Sequence, residues 1–220
     1  MFILPQRICL PQFKLNERKN KMDAHIEQIA KSLYFSCKQF DIGLFYGKMG
    51  RCLFFFDYSR VTELRAFEEL AGELLDEVME SVCLGMPVGL SFGWCGIGWG
   101  VEYLVRKGFV EDDDNEGRNK IDEKVMEYDV RRLGDYSLAT GLEGISWYVL
   151  LRLSSGDKGV RIGAKNYLSD LKSACEKALK KGRYEGILLL LDFLNGKRAN
   201  YPFGEFFSQI PGEAHYIPDM

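Results

Sequence analysis

Cys95 is the residue whose type and setting most invite chemistry. It follows Trp94 and precedes Gly96 at the entry of an apolar stretch. A helix N-terminus lowers a thiol pKa, which would make Cys95 a nucleophile or a metal ligand. The competing reading is a small residue packed between helices. Lys48 and Glu143 occupy similar glycine-flanked positions, and they act as base and acid only if the fold pairs them. Glu102, Glu143 and Glu185 are the carboxylates that a glycoside hydrolase would draw on, because that chemistry needs two across a cavity. Tyr46 and Trp94, with Lys48 and Glu143, have the types that line a peptide groove; the alternative is packing for the rings and solvation for the charges. His25 and His215 are the only histidines, which thins out mechanisms that need several His ligands.

The elements that would carry these residues repeat. Gly43, Gly47 and Gly50 recur as Gly89, Gly93 and Gly96, at a spacing of 46 residues. A third copy has Gly141 and Gly144, 48 residues on, and a fourth keeps only Glu185-Gly186-Ile187. An intensely apolar stretch follows each copy. Segments 22–37, 62–83, 119–133 and 164–179 instead show apolar residues at helical spacing on one side only. A helix apolar nearly all round is buried, and a one-sided helix faces water. Each repeat therefore reads as one outer and one inner helix, and a regular period of this length marks stacked supersecondary units. The predicted fold is all-α, an α/α-toroid-like arc of about four repeats. Gly47, Gly50, Gly93, Gly96, Gly141 and Gly144 read as structural, letting loops turn and helices approach, although such loops can also leave amides open to an anion. Arg60, Arg106 and Arg152 each end an inner helix, where a cation complements the dipole.

Composition sets the outer limits. The 220 residues are 46% hydrophobic and 28% charged, with a net charge of −3. That fits one globular domain and gives no basic surface for nucleic acid. Residues 1–20 read as an N-terminal extension, 21–200 as a single repeat domain and 201–220 as an irregular tail that folds back over an end of the arc. The first residues do not form a signal sequence, because their apolar run stops at Pro5. The run from Ile187 to Leu191 is far too short for a membrane span. Cys9, Cys37, Cys52, Cys83, Cys95 and Cys175 form no C-x-x-C pair, which argues against a zinc ribbon and for a reduced, cytoplasmic chain.

The glycine motifs resemble those of the lanthionine synthetase C-like family, an α/α-toroid. The similar segments are Gly43 to Arg60, Gly96 to Gly108 and Leu138 to Leu153, closest to short bacterial members, within a likeness over roughly residues 25–195. Catalytic members of that family add a Cys thiol of a precursor peptide to a dehydroalanine or dehydrobutyrine. Zinc makes the thiolate, held by a Cys in W-C-x-G and by an adjacent Cys-His pair. Here Gly96 follows Cys95 directly, the motif falls in the second repeat, and neither histidine has a neighbouring Cys. No metal site or cofactor is therefore assigned; zinc would need ligands from unrelated positions or from a second chain. The resemblance then implies a non-catalytic scaffold of peptide modification, with a precursor peptide or modifying enzyme as partner and a homo-oligomer as one way to cover the arc's ends. The alternatives are a cyclase with an altered site, a toroid-fold glycoside hydrolase and a degenerate relative with no activity.

Overall fold

The computed structural model describes residues 26, 28–33, 41–111, 115–157 and 160–210. The chain divides into two compact units, Met1–Ser36 and Cys37–Met220. That division does not fall at the sequence boundary after residue 20, and the extension 1–20 lies outside the described residues. In the first unit, residues 28–33 are helical.

The described residues of the second unit contain helices and no strand. They are α1 (Lys48–Thr62), α2 (Arg65–Ser81), α3 (Trp94–Arg106), α4 (Glu116–Met126), α5 (Leu142–Leu153), α6 (Lys165–Leu179), α7 (Glu185–Leu194) and α8 (Phe203–Gln209). Short 3-10 turns at Val130–Arg132 and Arg161–Gly163 lead into α5 and α6. The longest of these helices has 17 residues, and no described helix is long and apolar enough to cross a membrane.

Inner and outer helices differ as their sequences require. In α1, every residue from Arg51 to Ser59 is buried, and α3 and α5 are buried almost as completely. In α2, only Phe67, Ala71, Leu74 and Val78 are buried, one every helical turn. The inner helices stack in chain order, α1 on α3, α3 on α5 and α5 on α7. The outer α2 packs on α1, α4 on α3, and α6 on α7.

Two sets of crossing bonds staple successive repeats. At the loop end, the Leu44 amide donates to the Ser91 carbonyl at 2.8 Å, and the Ser91 amide donates to the Ala139 carbonyl at 2.9 Å. At the opposite end, Arg60 Nη2 donates to the Lys107 carbonyl at 2.9 Å and Arg106 Nη2 to the Leu151 carbonyl. The arginines thus complement their own helix ends and also reach the C-terminal end of the next inner helix. Arg60 additionally lies 3.8 Å over the Phe109 ring.

The segment after Asn200 corrects the sequence reading. Residues 203–209 form α8 rather than an irregular tail, with Pro202 at its N-cap and Phe206 fully buried. Phe206 stacks on Trp99 with centroids 4.4 Å apart, and the Tyr201 hydroxyl accepts from Trp99 Nε1 at 2.8 Å. Phe203 and Phe207 meet Tyr103, and Tyr201 and Phe206 meet Trp147. Trp99 and Trp147 stand at one repeat position, six residues after Gly93 and Gly141. The aromatic rings therefore pull this segment onto α3 and α5, the two middle inner helices, and not over an end of the stack. Residues 211–220 lie outside the described part.

One buried carboxyl lacks full satisfaction. Asp57 Oδ2 accepts from the Tyr103 hydroxyl at 2.7 Å, and Oδ1 has no partner among the described residues. Burial raises its pKa, opposed by the Tyr103 bond and the charges of Lys107 and Arg60. A carboxyl whose folded pKa exceeds its unfolded one takes stability away as pH climbs from the unfolded towards the folded value. Asp57→Asn, which keeps an acceptor for Tyr103, is expected to be more stable than the wild type at neutral pH. Urea melts should show that advantage shrinking in acid; an advantage independent of pH would mean that Asp57 does not titrate in this range.

Candidate functional site

The glycine loops are built to one plan. In the first, the amides of Lys48, Met49 and Gly50 donate to the carbonyls of Asp41, Ile42 and Gly43 at 2.9 to 3.4 Å. In the second, the amides of Trp94, Cys95 and Gly96 donate to Pro87, Val88 and Gly89 at 3.0 to 3.4 Å. In the third, Leu142 donates to Asp135 at 3.0 Å. The donors that open α1 and α3 are thus spent on their own loops, which removes the anion-binding alternative for these helix starts.

The glycines leave no room for a side chain. A Cβ on Gly47, Gly93 or Gly141 would stand 2.2, 2.3 or 2.6 Å from its own loop's backbone. On Gly50, Gly96 or Gly144 it would stand 2.2, 2.2 or 2.3 Å from the carbonyl oxygen of Leu44, Leu90 or Leu138. Gly43 meets the next loop instead, with Ser91 O at 2.5 Å. Each loop therefore lies flat on the start of its inner helix and against its neighbour.

The fourth repeat has no such loop, and a side chain takes over. Glu143 Oε1 accepts from the Gly186 amide at 3.3 Å, at the start of α7. Burial raises the Glu143 pKa; the amides of Gly186 and Glu185 oppose that shift, and the Glu185 charge adds to it. A carboxylate here satisfies amides that loop carbonyls serve elsewhere and lies at the positive end of the helix dipole.

The other site candidates separate. Cys95 is fully buried, and desolvation, aided by the Asp122 charge, pushes its thiol well above the usual range. The expected acidification by a helix start is outweighed, so Cys95 is a neutral packed thiol in the structure. Trp94 is buried beside it. Lys48 Nζ pairs with Glu77 Oε2 at 2.5 Å, tying α1 to α2. Tyr46 is 50% exposed. Among the described residues, Lys48 and Glu143 each have partners of their own and make no hydrogen bond or ion pair with one another. The five candidates do not converge on one cavity: Tyr46 faces solvent, Lys48 and Glu143 are bound locally, and Trp94 and Cys95 are core.

Phe92 is the residue that sequence reasoning missed. It is 42% exposed and holds the same repeat position as Tyr46, just before the second glycine of its motif. A Cβ on Gly43 would lie 3.4 Å from Phe92 Cα, so the two loops touch. The signal was an aromatic recurring at one repeat position on a loop, where packing does not require it.

The glycosidase carboxylates are not brought together either. Glu102 is fully buried, and its carboxylate accepts from Arg106 Nε at 2.7 Å, Arg118 Nη1 at 2.8 Å and Arg152 Nη1 at 2.8 Å. Arg152 also donates to Asp122 and to Asn115 Oδ1, and Tyr148 completes the cluster through Asp122. Glu102, Asp122 and Arg152 are all fully buried between α3, α4 and α5. Glu185 lies at the start of α7 with Arg183 at 3.6 Å. Two surface depressions, of about 310 and 410 Å³, lie by Arg60 and Phe109 and by Glu116 and Arg161, away from the glycine loops.

Around Cys95 the described residues offer a buried thiol and no second zinc ligand beside it. Among the described residues, no three His, Cys, Asp or Glu side chains gather in a way that could hold a metal ion, and His25 and His215 lie outside those residues. The buried, protonated Cys95 thiol would need both deprotonation and solvent access to become a ligand. Thiol labelling tests its state. Of Cys52, Cys83, Cys95 and Cys175, only Cys83 is exposed, and burial pushes the Cys175 thiol up to about 11. Mass mapping should show Cys83 reacting at once and the other three only as fast as the protein opens. Rapid labelling of Cys95 would restore it as a reactive thiol. In comparisons with known proteins, no family model and no curated protein matches the chain.

Proposed function

We propose that this chain is a non-catalytic, lanthionine synthetase C-like scaffold of the cytoplasm, which holds a precursor peptide or a modifying enzyme against the rim formed by its glycine loops. The observation that carries the reading is the division of labour in the motifs. Cys95 is buried, while Lys48 and Glu143 hold helices together. Tyr46 and Phe92, at one repeat position on touching loops, stay exposed. Exposed aromatic rings on rigid loops give contact area at low entropic cost, and such residues dominate binding energy where they occur at interfaces. Packing of the helices requires no aromatic at either place.

Fluorescently labelled peptides rich in aromatic and apolar residues, some carrying dehydroalanine and cysteine, provide the test. Wild-type protein should bind a subset of them. Tyr46→Ser with Phe92→Ser should weaken that binding by about tenfold or more and leave the melting temperature unchanged. Unchanged affinity in the double variant would remove the rim from the reading. Thioether formation in the dehydroalanine peptides would overturn the non-catalytic assignment.

A further inference from the structure

We propose that two copies of this chain associate head to tail, the α6–α7 end of one against α2 of the next. Among the described residues, the inner helices α3 and α5 each have an inner neighbour on both sides, whereas α7 has only α5. On α7, the apolar residues Leu188, Leu191, Phe193 and Leu194 remain half-buried. An apolar edge of this kind needs cover, and the surrounding charge indicates what covers it.

The segment from Lys165 to Arg183 carries Lys165, Lys172, Lys177, Lys180, Lys181 and Arg183 against Asp170 and Glu176, a net of +4. At the other end of the stack, α2 carries Glu68, Glu69, Glu73, Asp76, Glu77 and Glu80 against Arg65, a net of −5. Among the described residues, Glu68, Glu73, Asp76 and Glu80 make no ion pair, and neither do Lys177, Lys180 and Lys181. The acidic surface is also apolar in part. Met79, on the same face as Asp76 and Glu80, is 45% exposed, and Leu84 beyond it is 80% exposed. One end is thus basic around a leucine edge, and the other is acidic around exposed Met79 and Leu84. The two differ, so the contact is heterologous; it closes as a ring or runs on as a chain, and it does not form a two-fold dimer through one repeated patch.

Sedimentation velocity on the full chain tests this. Wild type should associate at low ionic strength and dissociate as salt is added, because the contacts are exposed and screened. A head variant, Glu73→Lys with Glu80→Lys, and a tail variant, Lys177→Glu with Lys180→Glu, should each associate at least about tenfold more weakly. An equimolar mixture of the two should regain association, since each reversed end meets a reversed partner. All four positions are exposed, and circular dichroism confirms that the variants fold. A wild type that stays monomeric at low salt and high concentration overturns the proposal. So does association that survives either reversal, or a mixture no better than its components.

Discussion

Arg152→Met is expected to lower the free energy of unfolding by about 3–5 kcal/mol. Arg152 is the hub that neutralises two fully buried carboxylates, Glu102 and Asp122, at 2.8 and 3.0 Å. Methionine replaces its volume and none of its donors. Among the described residues, Asp122 would keep only Tyr148 and the weak Ile162 amide contact at 3.4 Å, and Glu102 would keep Arg106 and Arg118. Removing one partner of a buried pair is costly because the other charge stays behind without water. Adding Glu102→Gln to Arg152→Met should therefore cost less than the sum of the two single changes, by about 1–3 kcal/mol in a double-mutant cycle. Guanidinium denaturation of the four proteins measures this. A loss under about 1 kcal/mol for Arg152→Met would mean that the carboxylates shed their charge or find water, and that the cluster adds little net stability.

Gly50→Ala and Gly72→Ala should move stability in opposite directions, although both lie inside helices. Helix propensity alone favours alanine at each by about 1 kcal/mol. At Gly72 nothing lies within 4 Å of the added Cβ, so a gain of about 0.5–1 kcal/mol is expected. At Gly50 the Cβ would stand 2.2 Å from the Leu44 carbonyl oxygen. That oxygen is backbone, and Leu44 is held through its amide to Ser91, so the loop cannot yield without disturbing the next repeat. A loss of about 3 kcal/mol or more is expected. Thermal melts of both variants decide the matter, and a stable Gly50→Ala protein would show the loop to be far softer than its bonding suggests.

The all-helical fold was legible because its cause is written locally. The period of the glycine motifs and the contrast between apolar and one-sided stretches both survive in a single chain. The fourth repeat, marked only by Glu185-Gly186-Ile187, was legible as a helix start, but not the reason its loop could be lost. That reason is Glu143, 43 residues away from the amide it receives. The same distance problem hid the roles of the arginines. Arg60, Arg106 and Arg152 were visible as helix-end cations, yet their partners at Lys107, Leu151 and Glu102 are 45 to 50 residues off in sequence. At Cys95 two local rules compete, and burial, which depends on the whole fold, outweighs the helix start. The tail misled for a simpler reason. Pro202, Pro211 and Pro218 suggest irregularity, while four aromatic rings within seven residues carry the stronger drive towards a core.

The bonds from Leu44 to Ser91 and from Ser91 to Ala139 also make two backbone amides into reporters of separate seams. Each amide is protected by a neighbouring repeat and not by its own helix, so it exchanges with solvent when that seam parts, even if every helix stays wound. Comparing Leu44 and Ser91 with amides in the middle of α1 and α3 therefore separates two kinds of opening. In a stack with nearest-neighbour coupling, the seams should open at lower free energy than the helices melt. Exchange rates at these two sites would then rank the interfaces by strength, giving a map of cooperativity along the molecule from two signals.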